Sequence, residues 1–274
     1  MSATVTSSIP KPKKRKARPD DDAPAKAANL TVPVGKKRKQ NAKKGKRAAV
    51  QDDDSLLDLD AGLNLAIANM DSQLLSDYLA QQTTRFGTDL SSVELADLHV
   101  PAGAIKDTSS FGEDKPRNLE NLPLFLETVA EGGAGEMGKA VKEKGAPHTI
   151  IVAGAGLRAA DLCRAVRKYQ KKGNTVAKLF AKHIKLEEAV SFLKNNSTGV
   201  AVGTPVRLMD LLDNGALSTK SLRRIVVDAS HIDQKKRGVM DMRETAIPLA
   251  RWLARPEFKE RYVDDDNRLD LIFY

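Results

Sequence analysis

Beyond its first fifty residues the chain alternates two hydrophobic periods. Between residues 63 and 83, apolar residues recur at helical spacing: Leu63, Ile67, Met70, Leu74, Leu75, Tyr78 and Leu79. This pattern predicts one amphipathic helix, ended at Phe86-Gly87. Ser91 followed by Glu94 has the spacing of a capping box, and predicts a short helix closed before Pro101. Asn121 and Pro123 predict another helix start, with the proline where its missing N–H costs nothing. From residue 147 the period shortens. Thr149–Val152, Val176–Phe180, Gly199–Val202, Leu222–Asp228 and Leu269–Phe273 are short apolar runs rich in β-branched residues. Helical stretches alternate with them: 157–169, 186–193, a third from Pro205 to Asn214-Gly215, and 242–254 with a short turn near Pro256. Short apolar strands alternating with amphipathic helices predict an α/β domain, one parallel sheet covered on both faces.

Charge changes this picture at one end. The 274 residues carry a formal net charge of +9, but residues 1–50 hold 15 Lys and Arg against three acids. The remainder is therefore at −3. The tail has too few apolar residues to offset its ordering entropy, so it is expected to be disordered. Its clusters Lys13, Lys14, Arg15, Lys16 and Lys36, Lys37, Arg38, Lys39 suit nuclear import receptors. They also suit RNA phosphates without sequence preference. The expected organisation is a disordered basic tail with an acidic end over 1–60, a helical connector over 61–146, and the sheet domain over 147–274. One cysteine, Cys163, excludes an intramolecular disulfide framework. No run approaches the ~18–20 apolar residues of a spanning helix, and no membrane role is expected. No metal, cofactor or small-molecule substrate is expected either.

Two glycine-bearing segments are candidates for chemistry. Gly133-Ala134-Gly135-Glu136-Met137-Gly138-Lys139-Ala140 has the spacing of a phosphate loop. It lacks the preceding strand, and Ala140 stands where a Ser or Thr would hold magnesium, so a glycine-rich hinge is the favoured reading. Gly203-Thr204-Pro205 ends a strand and opens a helix, with Arg207 about a turn on. Free N–H groups at such a helix start suit a nucleic-acid phosphate. Lys235-Lys236-Arg237 could meet RNA at the carboxyl ends of the strands, or be a solvated charge run.

The segment Gly203-Thr204-Pro205-Val206-Arg207-Leu208 resembles the Gly-Thr-Pro-Gly-Arg-Leu motif of DEAD-box RNA helicases, with Val206 replacing a glycine. Leu222 to His231 falls where those helicases carry their Asp-Glu-Ala-Asp box. Ile150-Ile151-Val152 with Leu157-Arg158 resembles their Pro-Thr-Arg-Glu-Leu segment, in which only Arg158 survives in kind. The resemblance implies a RecA-like sheet over roughly 147–274, with Arg158, Thr204 and Arg207 on an RNA-facing edge. It departs at the catalytic positions: only Asp228 of the box remains, with Ala229 and His231 following. Asp228 is expected to cap the turn after its strand.

A closer resemblance takes in Lys178-Leu179-Phe180-Ala181-Lys182-His183, Gly203-Thr204-Pro205 and Val227 through Lys236. These residues are similar to the Cms family, small helicase-related proteins of the early pre-ribosome. The resemblance implies a non-catalytic nuclear and nucleolar factor for rRNA processing and small-subunit assembly. The partners it implies are the pre-ribosomal particle's rRNA, small nucleolar RNA and processome proteins. Two alternatives stand beside it: an ATP-dependent RNA remodeller using the 133–140 loop and Asp228, and a protein-docking scaffold whose RNA contact lies only in the tail.

Overall fold

The computed structural model describes residues 54–111, 115–181 and 184–274. The import clusters and His183 lie outside these residues. A small antiparallel hairpin comes first, β1 (Leu57–Asp58) with β2 (Leu63–Asn64). Then come α1 (Ala66–Asn69), α2 (Ser72–Phe86), α3 (Ser92–Asp97), α4 (Leu122–Val129) and α5 (Gly133–Met137). The alternating part runs β3 (Thr149–Val152), α6 (Gly156–Ala165), β4 (Ala177–Leu179), α7 (Leu186–Asn195), β5 (Val200–Gly203) and α8 (Pro205–Asp213). It continues with β6 (Arg224–Val227), α9 (Arg243–Leu253), α10 (Pro256–Tyr262) and β7 (Asp270–Phe273).

Strands β3 to β7 form one parallel sheet in the order β4-β5-β3-β6-β7. The expected α/β class, with one parallel sheet and helices on both faces, is present. Side chains alternate between the faces as a strand requires. Ile150, Val152, Ile225, Val227, Leu271 and Phe273 enter one core with α2, α7, α8, α9 and α10. Ile151, Val200, Val202, Val226 and Ile272 enter the other with α4 and α6. Trp252 is fully buried against Phe258, ring centroids 4.8 Å apart. Cys163 is buried on α6, and burial pushes its thiol up to about 11.

The segment before residue 147 packs on the sheet domain. Leu75 and Leu79 of α2 are buried in the first core. Tyr78 donates to Asp241 Oδ1 at 2.6 Å, which ties α2 to the loop before α9. Burial, with the Asp241 carboxylate beside it, pushes the Tyr78 phenol well above its ordinary range. Ile105 bridges Leu271, and the Lys106 amide donates to Leu271 at 2.8 Å. This contact covers the otherwise bare edge of β7, as edge strands require.

The predicted 63–83 helix is interrupted. Residues 63–64 join the hairpin, and Met70 is extended at the end of α1. The long helix starts at Ser72, where Asp71 accepts the Leu74 amide as its cap. Periodicity carried through the break because Ile67 and Leu75 both reach the same core. The Ser91–Glu94 capping box forms as expected. Asn121 holds the expected cap position of α4, but its side chain donates to the Pro116 carbonyl instead.

If α2 is part of the core, Leu75→Ala will cost about 2–5 kcal/mol, the range for emptying a buried leucine site. Urea unfolding of the full chain measures it. A loss below about 0.5 kcal/mol, typical of surface positions, would mean α2 is peripheral.

Candidate functional site: the strand-end crevice

In open α/β sheets, ligands bind outside the carboxyl ends of the strands where connections diverge in opposite directions. Here β3 leads away toward β4, and β6 leads the other way toward β7. The crevice therefore lies above the neighbouring ends of β3 and β6. Two expected residues meet there. Arg158, in the first turn of α6, donates from Nε to Asp228 Oδ2 and from Nη2 to Asp228 Oδ1, both at 2.8 Å. Asp228 directly follows β6. The side chains are 10% and 2% exposed. Burial pulls the Arg158 guanidinium down, but the two Asp228 contacts more than compensate and leave it raised. The carboxylate is thus used across the crevice and does not cap the turn that follows it.

The crevice is also roofed. The β1–β2 hairpin lies along residues 230–232: the Asn64 amide donates to Ser230 at 2.7 Å and the Ile232 amide to Gly62 at 2.9 Å. Gly62 takes a left-handed φ of 65° that only glycine adopts freely. On the β7 side, Arg117 is 3% exposed. Its guanidinium donates to the carbonyls of Phe273 at 2.6 Å, Thr108 at 2.9 Å and Ala68 at 3.2 Å, and to Thr108 Oγ1. Burial lowers its pKa to about 10, so it stays charged at neutral pH. This pin joins the N-terminal extension to the last strand. Sequence reading missed it, because its partners are backbone carbonyls that no spacing rule marks.

The other expected residues sit beside the crevice. Thr204 is half-buried at the start of α8, and its side chain makes no capping bond. Arg207 is buried and donates to the Ile184 carbonyl at 3.0 Å. Gly203 is required by packing: a Cβ there would stand 2.6 Å from the Leu179 carbonyl oxygen. The outward positions of the two helix starts are apolar, with Leu157 and Val206 exposed. Lys235 is exposed, and Arg237 pairs with Asp233 at 2.8 Å.

The 133–140 segment is not at this edge. Residues 133–137 are helical, and Glu136 pairs with Arg224, the first residue of β6, at 2.7 Å. Asp228 is four residues further along that strand, about 13 Å away at the usual rise. The two halves of a phosphate-transfer site are therefore at opposite ends of the sheet.

At this amino-terminal edge lies a buried polar cluster that the sequence did not reveal. Glu136 and Arg224 are both buried, and Arg224 Nη1 also reaches Thr149 Oγ1 at 3.2 Å. Burial would raise the Glu136 carboxyl; the Gly132 amide, Arg224 and Arg223 outweigh it and hold it at about 2. His148 is 5% exposed with Nδ1 2.8 Å from Thr149 Oγ1. Burial, then the charge of Arg224, holds its pKa at about 4. Among the described residues, no group of three or more His, Cys, Asp or Glu side chains could hold a metal ion.

These shifts fix a pH dependence. An unfolded His148 titrates near 6.5 and the folded one near 4, so the unfolded chain binds more protons between them. Stability will fall as pH drops from about 6.5 toward 4. The Glu136 contribution is present above about 4.5 and is lost between there and 2. His148→Asn should flatten the first loss and leave the second. Urea midpoints from pH 7 to pH 3 measure this; identical slopes for both proteins above pH 4.5 would contradict it.

A family model described as "CMS1: U3-containing 90S pre-ribosomal complex subunit" matches residues 12–274. Protein CMS1 of Chaetomium thermophilum is 61% identical over 236 residues, 86% of this chain and 93% of that protein. Protein cms1 of Schizosaccharomyces pombe is 32% identical over 195 residues, 71% of this chain and 68% of that one. Protein CMSS1 of Homo sapiens is 28% identical over 152 residues, 56% and 51% of the two chains. Among solved structures, S. cerevisiae dbp5 bound to nup159, gle1 and ADP aligns at 16% identity and TM-score 0.35, over 67% of this chain. The RNA-helicase Prp28 from C. thermophilum bound to ADP aligns at 16% and 0.33, over 72%. This chain spans 46% and 42% of those two structures. With nearly its whole length matched, the chain belongs to the CMS1 family, described as subunits of a U3-containing 90S pre-ribosomal complex.

Proposed function

We propose that the chain is a non-catalytic subunit of the 90S pre-ribosomal particle, acting in the nucleolus as a docking element for small-subunit assembly and rRNA processing. The observation that carries the non-catalytic part is the Arg158–Asp228 pair. It fills the crevice where a sheet of this topology would bind its ligand. Phosphoryl transfer needs a carboxylate free to hold magnesium and a cradle for phosphate at the same edge. Here Asp228 is committed to Arg158, and the glycine-rich 133–140 segment is at the other end of the strands. The alternative of an ATP-dependent remodeller loses its geometry.

The outer surface at this edge favours protein neighbours. Leu157 and Val206 are exposed at the two helix starts, and the hairpin adds exposed Leu59 beside Asp60. Apolar and acidic groups offer phosphate no counter-charge, which leaves Lys235, on the loop beyond β6, as an exposed cation near this edge. With Arg158 and Arg207 held by internal partners, the expected RNA contact at Arg158, Thr204 and Arg207 shrinks to the half-buried Thr204. Processome proteins then become the proposed partners of the carboxyl edge, and pre-ribosomal or small nucleolar RNA the partner of other surfaces. The clusters around Lys13–Lys16 and Lys36–Lys39 would supply nuclear import.

Thermal unfolding of the purified full chain tests the non-catalytic claim. A nucleotide present at a hundredfold above its Kd stabilises a protein by about 2.7 kcal/mol. Millimolar ATP or ADP with magnesium should leave Tm unchanged. A rise of several degrees that disappears in Asp228→Asn would overturn it.

A further inference from the structure

The amino-terminal edge of the sheet differs in charge from the carboxyl edge. A cavity of about 470 Å³ opens there, with Lys139, His148, Lys220 and Arg223 among its lining residues. Three segments meet around it. The loop after α5 carries Lys139, Lys142 and Lys144, all exposed. The turn before β4 carries exposed Lys171 and Lys172, and Asn174 of that turn donates to the Gly138 carbonyl at 3.1 Å. The turn before β6 carries Lys220 and Arg223, and Ser218 donates its amide to Gly145 at 2.7 Å. Seven exposed cations are thus contributed by three segments that these contacts join at the amino-terminal edge.

Two acids temper them. Lys220 lies 3.5 Å from Glu143, and Arg223 lies 3.4 Å from Glu136. Glu136 is already neutralised by buried Arg224 at 2.7 Å, which leaves the Arg223 guanidinium, 63% exposed, available to solvent. The 264–266 run of three aspartates lies on the Asn267 side of the cavity.

The cavity floor is polar and uncharged at His148, whose pKa near 4 keeps it neutral at physiological pH. His148 Nδ1 lies 2.8 Å from Thr149 Oγ1, which accepts from Arg224 Nη1 at 3.2 Å.

We infer that this amino-terminal face is a binding site for the phosphate backbone of single-stranded RNA, with Lys139, Lys171 and Arg223 as its principal contacts. The inference rests on the pre-ribosomal reading for its partner and adds the surface. It places RNA on the side opposite to the edge suggested by Arg158, Thr204 and Arg207. A phosphate backbone is favoured over an acidic peptide because it carries one charge per nucleotide, which suits cations contributed by three separate segments along the edge.

The test uses the full chain and a 15-nucleotide uridine RNA carrying 4-thiouridine. Wild type should cross-link within 139–148 and 220–224 as well as in the basic tail. Lys139→Gln/Lys171→Gln/Arg223→Gln should lose the first two sites and keep the tail sites. Single-stranded binding loses about 0.7 in salt slope per phosphate contact, so the triple variant should be shallower by about 2. Cross-links confined to the tail, or falling at 155–158 and 204–207, would overturn the inference. So would an equal loss of RNA to competing polyglutamate. Sedimentation of tagged wild type from cells separates the two levels. Absence from pre-ribosomal fractions defeats the particle reading itself, whereas presence without amino-edge cross-links defeats only the RNA face.

Discussion

A buried ion pair between Arg158 and Asp228 holds the centre of this fold. Its partners follow adjacent parallel strands, at the point where the chain turns away in opposite directions. That position normally admits a ligand. Two parallel charge-assisted bonds at 2.8 Å instead close it from within. Removing either partner would bury an unpaired charge, at a cost of about 3–5 kcal/mol. The pair therefore acts as both a structural tie and an obstruction. The hairpin roof and the Arg117 pin extend the same closure across the neighbouring strand ends.

The N-terminal extension is what makes a short sheet self-sufficient. Ile105 and Lys106 protect the edge of β7, and α2 supplies buried leucines to one face. Arg117 links three segments through their carbonyls, an arrangement that uses its planar fork and that lysine would not reproduce. With one end of the sheet closed by the chain itself, the other end keeps an open, cationic cavity. The division of labour follows from where the charge is spent. At the carboxyl end Arg158, Arg117 and Arg207 face inward. At the amino end Lys139, Lys171 and Arg223 face solvent.

Much of the fold was legible because its signals are local. The β-branched runs of β3, β5 and β6, the Pro205 start of α8 and the Ser91–Glu94 box are short-range features that tertiary packing preserves. The break between α1 and α2 was hidden, since apolar spacing continues across a segment that changes direction. The site was only half legible. Arg158 and Asp228 were singled out separately, but they are 70 positions apart, and no pattern in one sequence joins them. Glu136 and Arg224, 88 apart, were invisible for the same reason. The basic amino edge was averaged away. Residues beyond 50 sum to a slight negative charge, and only folding gathers loops from three regions onto one face.

The most direct test of crevice closure is a double-mutant cycle on Arg158 and Asp228, by urea unfolding of the full chain. Arg158→Met and Asp228→Leu should each destabilise by about 3–5 kcal/mol, and together by clearly less than their sum. A coupling of about 1.5–3 kcal/mol would establish that the two side chains hold each other across the strand ends. Additive losses within about 0.5 kcal/mol would show that they do not, and the crevice would then be open to a ligand.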